Sequence, residues 1–270
     1  MYYLCIMFTN EIFTGFFLTL LAGLSTGIGS ALAFFAKRTD MRFLSGALGL
    51  SAGVMIYISF MELMPECRNL LVPSFGESDA ELYTMLIFFF GIAVIALIDR
   101  LVPEDKNPHE AHLMSDLKGV ESLNRTGTIT ALAIFIHNVP EGMATFATAL
   151  VDVEMAIPIM VAIAIHNIPE GIAVSVPIFH ATGNRRRAFW ISFFSGMAEP
   201  VGALAGYLFL RPFWSPELNA LLLAFVSGVM VYISFDELLP GTERFGHHHT
   251  GVAGVVMGMA VMALTLWMGA

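Results

Sequence analysis

The chain has very little charge for its length. Only 13% of its 270 residues are Asp, Glu, Lys or Arg, whereas a soluble domain contains about 25%. Hydrophobic residues make up 57% of the sequence, and the apolar stretches lack the polar faces that helices of a soluble bundle show. The composition therefore leaves no room for a soluble domain and predicts an integral membrane protein.

Cysteine is also scarce. Cys5 and Cys67 are the only two, and their number and positions fit no thiolate metal site, although the sequence leaves open whether they pair. Basic residues are absent from residues 1–11, ahead of the first apolar run. Because a cleaved signal peptide carries such residues, we expect the first apolar segment to be kept as a membrane span.

Long runs with little or no charge occupy most of the chain. A helix needs roughly 20 apolar residues to cross the bilayer core. Eight segments fit this description, and they predict an all-α polytopic membrane protein with one transmembrane domain over residues 1–270. The predicted spans are Ile12–Ala36, Phe43–Met61, Leu82–Ile98, Thr126–Val151, Met155–Ala181, Ala188–Leu210, Leu218–Phe235 and Gly251–Ala270.

Basic residues are unevenly distributed between the two sides of these spans. The connections alternate sides, and eleven of the thirteen Lys and Arg residues fall on the same side. Because Lys and Arg are concentrated in cytoplasmic loops, both termini are predicted to face outward from the plasma membrane. The eleven are Lys37, Arg38, Arg42, Arg100, Lys106, Lys118, Arg125, Arg185, Arg186, Arg187 and Arg244; Arg68 and Arg211 fall on the other side.

Two segments recur at a constant spacing. Residues 53–63 and 228–238 share nine of eleven residue types at a spacing of 175 positions, and residues 23–33 and 196–206 align more weakly at a spacing of 173. Spans 1–3 therefore resemble spans 6–8. Because they lie five spans apart, the two copies must cross the membrane in opposite directions. This 3+2+3 arrangement with inverted repeats is typical of transporters, whose site lies near the midplane.

The phrase His-Asn-x-Pro-Glu-Gly occurs twice, at 137–142 in predicted span 4 and at 166–171 in predicted span 5. Residues three and four apart share a helix face, so each copy presents an imidazole, an amide and a carboxylate to one patch. Each proline removes a backbone donor, which predicts a kink with a freed carbonyl at Ile136 and Ile165. The final glycine of each copy allows close helix approach.

A further acid, Glu199, precedes Pro200 near the middle of predicted span 6. Three carboxylates near one depth repel one another unless they are protonated or bridged by a cation. Hydrogen bonding among these groups, locking the bundle without a metal, is the structural alternative, but it accounts poorly for so many acids. The candidate metal ligands are His137, Asn138, Glu141, His166, Asn167, Glu170 and Glu199.

The ligand types limit the metal. Imidazole suits zinc, iron, nickel and copper, while carboxylate and amide oxygens extend the range toward manganese. A mixed set of nitrogen and oxygen ligands without thiolates suits Zn²⁺, Fe²⁺, Mn²⁺ and Co²⁺. Cd²⁺ is expected to bind in their place as a competing ion. The seven candidate ligands are more than the four that hold a structural zinc ion. They could therefore form a site for two metal ions, bridged by Glu141 and Glu170.

These features resemble the ZIP family of divalent metal transporters, and its bacterial branch most closely. The paired His-Asn-x-Pro-Glu-Gly phrases, the Glu-Pro of span 6 and the loop after span 3 carry the resemblance over nearly the whole chain. It implies import of zinc and related ions toward the cytoplasm. It also implies two metal positions and a thioether ligand. The first metal position would be formed by His137, Glu141, His166 and Glu170, with the thioether of Met55 as an added ligand. The second position would be formed by Asn138, Asn167 and Glu199. Glu141 and Glu170 would bridge the two positions.

Several polar groups outside the motifs have two readings. Glu62 and Glu66 would mark the entrance and Asp236 and Glu237 the exit, or they are solvated helix ends. The cytoplasmic loop 104–125 carries only His109 and His112, fewer histidines than in many family members. These two residues and His247–His249 either belong to solvated loops or bind metal weakly near the exit.

Two other functions remain as alternatives. A metal-gated channel or sensor would use the same ligands. An intramembrane metalloprotease would need a His-Glu-x-x-His phrase that the chain lacks, which leaves a different metal-dependent membrane hydrolase as the less favoured alternative. We therefore expect no enzyme activity and no organic cofactor. The expected partners are divalent metal ions as substrate and the lipid bilayer, without nucleic acid, and a homodimer is left open.

Overall fold

The computed structural model describes residues 2–32, 41–101, 120–210, 213, 215–244 and 247–269, and every element of regular structure in these ranges is helical. The α-helices are α1 (Tyr2–Leu32), α2 (Met41–Ile58), α3 (Met64–Phe75), α4 (Glu77–Leu101), α5 (Val120–Val151), α6 (Val153–Thr182), α7 (Arg185–Gly196), α8 (Ala198–Ala205), α9 (Pro216–Ile233), α10 (Leu239–Arg244) and α11 (His248–Gly269). Three π-helical turns lie at Ser59–Leu63, Gly206–Leu210 and Ser234–Leu238.

These helices form the eight predicted spans. Spans 1, 3, 4, 5 and 8 are α1, α4, α5, α6 and α11; span 2 joins α2 to α3, span 6 joins α7 to α8, and span 7 joins α9 to α10. Seven of them contain a described segment long and apolar enough to cross a membrane. The eighth, α5, is 32 residues long. The chain is thus an all-α polytopic membrane protein.

Spans 2 and 7 extend further than the sequence predicted. Their apolar runs end at Met61 and Phe235, yet the continuous apolar helices reach Phe75 and Glu243. Each of these two spans contains a proline shortly after its apolar run, Pro65 in span 2 and Pro240 in span 7. The two prolines occupy equivalent positions in the repeats. A proline ring clashes with the carbonyl four residues earlier, and in both spans a π-helical turn immediately before it widens the helix. Both helices continue past the proline.

Other predicted boundaries need smaller corrections. Helix α5 begins at Val120, so the last residues of the predicted loop 104–125 are helical. Both α5 and α6 continue as helices through the prolines of the repeated phrase. The following predicted features lie outside the described residues: Lys37, Arg38, Lys106, His109, His112, Lys118 and Arg211, together with the side chains of Cys5, Arg125 and Arg244. Cys67 is a buried free thiol.

The spans pack in two groups. In one, α2 packs against α11 and α4 against α9; in the other, α6 packs against α1 and α5, and α5 against α8. The two groups meet where α2 contacts α6 and α5 contacts α9. Spans 3 and 8 are the most exposed, with only 17% of their apolar windows buried. They lie at the periphery, where their apolar side chains face lipid.

Glycine contacts repeat across the two halves of the chain. A methyl group added at Gly53 would overlap the carbonyl of Val255, and one at its repeat counterpart Gly228 would overlap the carbonyl of Phe88. Small residues of this kind let membrane helices approach at backbone distance. The predicted repeat is therefore matched by equivalent packing in the two copies, span 2 on span 8 and span 7 on span 3.

Candidate metal centre

Both copies of the repeated phrase lie within long helices of the second packing group. The phrase at 137–142 is in α5 and the phrase at 166–171 is in α6. Five of their polar side chains are almost completely buried, with relative exposures of 0–1%: Asn138, Glu141, His166, Asn167 and Glu170. The side chain of His137 lies outside the described ones. Burial at this depth requires that each polar group find a partner or a ligand.

Glycines bring the neighbouring helices against the two phrases. The residue after each motif asparagine, Val139 or Ile168, presents its carbonyl to a glycine of span 6 or span 1, Gly202 or Gly29, and leaves no room for a methyl group there. These two glycines are 173 positions apart, the spacing of the weaker repeat. The same contact is thus made twice, once on each phrase.

The glycine that ends each phrase makes a second pair of close contacts. Gly142 packs against the carbonyl of Glu199, and Gly171 packs against the carbonyl of Thr26. The prediction that these two glycines allow close helix approach is confirmed. Thr26 and Glu199 are again 173 positions apart, so the third acid occupies the position at which the other copy of the repeat has a hydroxyl.

The two motif asparagines are oriented by backbone carbonyls. Asn167 Nδ2 donates to Ala22 O at 3.1 Å, and Asn138 Nδ2 donates to Ser195 O at 3.4 Å. A carbonyl only accepts hydrogen bonds, so the nitrogen of each amide must face it. The amide oxygens are turned away from these carbonyls as a result. Because Ala22 and Ser195 also occupy equivalent repeat positions, the two amides are fixed in the same way.

Glu199 lies at a break in span 6. Helix α7 ends at Gly196 and α8 begins at Ala198, which places Glu199 in the first turn of α8. A carboxylate is favoured at a helix N-terminus by the exposed N–H groups. Asn167 Nδ2 also donates to Glu199 Oε1. The carboxylate of Glu199 is fully buried, and this hydrogen bond joins span 6 to the motif on α6.

The two phrases also contact each other directly. His166 Nε2 lies 3.4 Å from Glu141 Oε2, with both side chains fully buried. Glu199 lies close enough to both Glu141 and Glu170 for the carboxylates to interact electrostatically. Like charges in a low-dielectric site disfavour one another. A divalent cation between these groups would relieve that repulsion.

Met55 lies beside this site in span 2. Its side chain is fully buried, and its sulfur is 3.9 Å from the hydroxyl of Ser51. The same hydroxyl donates to the carbonyl of His166 at 3.4 Å. Met55 is therefore linked through one residue to the backbone of the second phrase.

The assignment of the candidate ligands to a metal stays a prediction. Among the described side chains, no three His, Cys, Asp or Glu residues converge closely enough to hold a metal ion. That set omits amide oxygens and the imidazole of His137. Asn138 Oδ1, Asn167 Oδ1 and Glu199 Oε2 are all buried and accept no hydrogen bond from any described residue. Two amide oxygens and one carboxylate oxygen are donors suited to a divalent cation.

Acidic groups lie at both ends of the spans that flank the site. Glu62, Glu66 and Asp152 interact electrostatically on the side predicted to face outward. At the other end, Tyr232 donates to Asp99 Oδ2 at 3.5 Å and interacts with Asp236. Sequence reasoning missed Asp99 and Asp152, although each is an acid that directly ends or follows an apolar span. His248, after span 7, lies 3.3 Å from the exposed carboxylate of Glu243.

The sequence of the chain is similar to those of known proteins over nearly its whole length. The family model described as "ZIP Zinc transporter" matches residues 101–266. A protein named "Zinc transporter ZupT" from Nitratidesulfovibrio vulgaris is 52% identical over 269 residues, covering 95% of this chain and 97% of that protein. Proteins with the same name from Clostridium perfringens and Streptococcus mutans are each 50% identical and cover 95–96% of this chain.

Proposed function

The chain belongs to the ZIP zinc transporter family, and on that premise we propose that it carries Zn²⁺ and related divalent ions into the cytoplasm. It is a multi-pass membrane protein with buried polar groups at the depth of its repeated phrases. The observation that carries the proposal is the orientation of the two amides, whose oxygens turn away from the carbonyls that anchor their nitrogens. Hydrogen bonds that served only to lock the helices would have no need to leave those oxygens available.

We assign the transported ion two adjacent positions. His137, Glu141, His166 and Glu170 would hold the first, with Met55 as an added thioether. Asn138, Asn167 and Glu199 would hold the second, and Glu141 and Glu170 would bridge the two. Supporting the second position, its Asn138 Oδ1, Asn167 Oδ1 and Glu199 Oε2 are buried and accept no hydrogen bond from described residues. Supporting the first, His166 Nε2 lies 3.4 Å from Glu141 Oε2.

This ligand set suits transport rather than permanent binding. Structural zinc sites use four ligands, often thiolates, in a closed tetrahedron. Here the donors are imidazoles, amides and carboxylates, which bind zinc, iron, manganese and cobalt without a thiolate. A site that must also release its ion should bind it with moderate strength. We propose no catalytic residue and no organic cofactor.

The direction of transport and the orientation of the protein in the plasma membrane are inferred from the distribution of charged residues. The basic loops would face the cytoplasm and both termini the outside of the plasma membrane. Glu62, Glu66 and Asp152 would then attract cations at the entrance, and Asp99 and Asp236 would receive them at the exit. A homodimer in the bilayer is compatible with this arrangement.

The test is ⁶⁵Zn²⁺ uptake into liposomes that contain the purified protein, with unlabelled Fe²⁺, Mn²⁺ and Cd²⁺ as competitors. We expect saturable uptake by the wild type. We expect Glu170→Gln to lower it about 100-fold or more, because a neutral amide cannot balance the charge of a buried cation as the carboxylate does. Glu77→Gln is the matched control, since Glu77 is an exposed carboxylate whose side chain is 83% accessible.

Three results would contradict the proposal in different ways. Wild-type uptake by Glu170→Gln would remove this carboxylate from the ligand set. Uptake that does not saturate with metal concentration would indicate a channel. Metal binding without any uptake would indicate a sensor.

A further inference from the structure

The hydroxyl of Ser51 has two acceptors and only one hydrogen. Its oxygen is 3.9 Å from the sulfur of Met55 and 3.4 Å from the carbonyl oxygen of His166. Sulfur accepts hydrogen bonds at longer distances than oxygen, so both contacts are within range. At any moment the single proton is directed toward one acceptor or toward the other.

No solvent competes for this proton. Ser51 and Met55 are both fully buried, as is the side chain of His166. A thioether sulfur has two lone pairs, and it binds a metal through one of them. When the Ser51 proton points at the sulfur, it draws electron density from the sulfur and makes the remaining lone pair a weaker donor to a metal. When the proton points at the His166 carbonyl, the sulfur is released.

The repeat supplies an internal comparison. Residues of span 2 recur in span 7 at a spacing of 175 positions, so Met55 corresponds to Met230 and Ser51 corresponds to Val226. Both Met230 and Val226 are buried. The chain therefore has a buried methionine in each copy, but a serine four residues earlier in only one of them, the copy linked to the second phrase.

We propose that Ser51 is a positioning residue that sets metal selectivity by controlling the availability of the Met55 sulfur. The inference rests on the proposed function, because it concerns which ions the carrier prefers. Thioether sulfur favours soft ions, whereas carboxylate and amide oxygens favour hard ones such as Mn²⁺. With its hydroxyl shared between sulfur and carbonyl, Ser51 weakens the thioether contribution and keeps the site open to both classes.

The experiment measures initial uptake of radiolabelled Cd²⁺ and Mn²⁺ by the same liposome preparation and takes their ratio. The ratio cancels differences in the amount of folded protein, so a lower yield of active transporter does not change it. We expect Ser51→Ala to raise the Cd²⁺/Mn²⁺ ratio about two- to tenfold, the range that corresponds to the loss of one hydrogen bond. Ser51→Thr retains a hydroxyl and should restore a ratio near that of the wild type.

A double substitution tests whether the effect passes through sulfur. Met55→Leu removes the thioether at nearly constant volume and should lower the Cd²⁺/Mn²⁺ ratio, whereas Met230→Leu, the matched control, should not. In the Met55→Leu background, Ser51→Ala should have no further effect on the ratio. An unchanged or lower ratio in Ser51→Ala, or an equal rise with and without the sulfur, would overturn the proposal. Saturable Zn²⁺ uptake by the wild type would survive either result, so the two proposals fail separately.

Discussion

Gly202→Ala should disable transport by displacing one phrase from the rest of the site. Gly202 packs against the carbonyl of Val139, which lies between Asn138 and Pro140 in the first phrase. The same helix carries Glu199 three residues earlier, on the face that borders Gly142. A methyl group at Gly202 therefore pushes directly on the backbone that holds the ligands of both helices.

The size of the displacement follows from the contact. Carbon and carbonyl oxygen approach to about 3.3 Å, and an added Cβ at Gly202 would lie roughly 1 Å inside that limit. Because the obstacle is backbone rather than a flexible side chain, α5 and α8 must separate. Overpacking of this kind costs about 1–3 kcal/mol of stability. A misplacement of about 1 Å between reacting groups lowers rates about 100-fold, and we expect a loss of uptake of that order.

The assay is ⁶⁵Zn²⁺ uptake into liposomes, normalised to folded protein measured by size-exclusion chromatography in detergent. Gly206→Ala is the control, since Gly206 lies one turn further along the same span and its added Cβ would make only ordinary contacts of 3.7–3.9 Å. We expect Gly206→Ala to transport normally. Normal transport by folded Gly202→Ala would refute the reasoning, because it would mean that the separation of α5 and α8 does not control the site.

Three further substitutions test other parts of the site. Asn138→Leu should lower the bound metal from two ions to one in equilibrium binding measured by elemental analysis, whereas Asn219→Leu, which changes a buried amide in span 7, should leave the stoichiometry unchanged. Ser192→Ala removes hydrogen bonds with Ser30 and with the carbonyl of Gly171 and should cost about 1 kcal/mol, at about 0.6 kcal/mol per intramembrane bond. Its thermal unfolding temperature in detergent should fall while its Zn²⁺/Mn²⁺ uptake ratio stays constant. His137→Ala should shift preference from Zn²⁺ toward Mn²⁺ in competition uptake more than it lowers total transport, because it exchanges a nitrogen ligand for water.

The membrane spans were largely predictable because hydropathy is a local property. Each apolar run supplies its own transfer free energy, so the positions of the spans follow from composition within a window of residues. The exceptions are spans 2 and 7, which extend past Pro65 and Pro240. The π-helical turns before those prolines depend on packing around the helix. The hydropathy of the sequence does not predict them.

The candidate ligands were also visible in the sequence, but the hydrogen bonds among them were not. The repeated phrase identifies two sets of His, Asn and Glu at helical spacing, and the apolar context of Glu199 marks it as a third acid. Nothing in the sequence indicates that Asn167 donates to Glu199, or that His166 faces Glu141 of the other phrase. Such pairings depend on how each helix is rotated about its axis.

The sequence by itself thus determined the membrane class, the number of spans, the inverted repeats and the types of ligand available. The tertiary structure alone decided that Ala22 and Ser195 hold the two amides by their nitrogens, and that Ser51 stands between Met55 and His166. The physical reason is one of range. Burial and helical spacing act within a few residues of chain. The direction in which these amides and this hydroxyl point is instead set by backbone carbonyls that lie 57, 115 and 145 residues away in sequence. Those carbonyls reach the site because glycines let the helices pack at backbone distance.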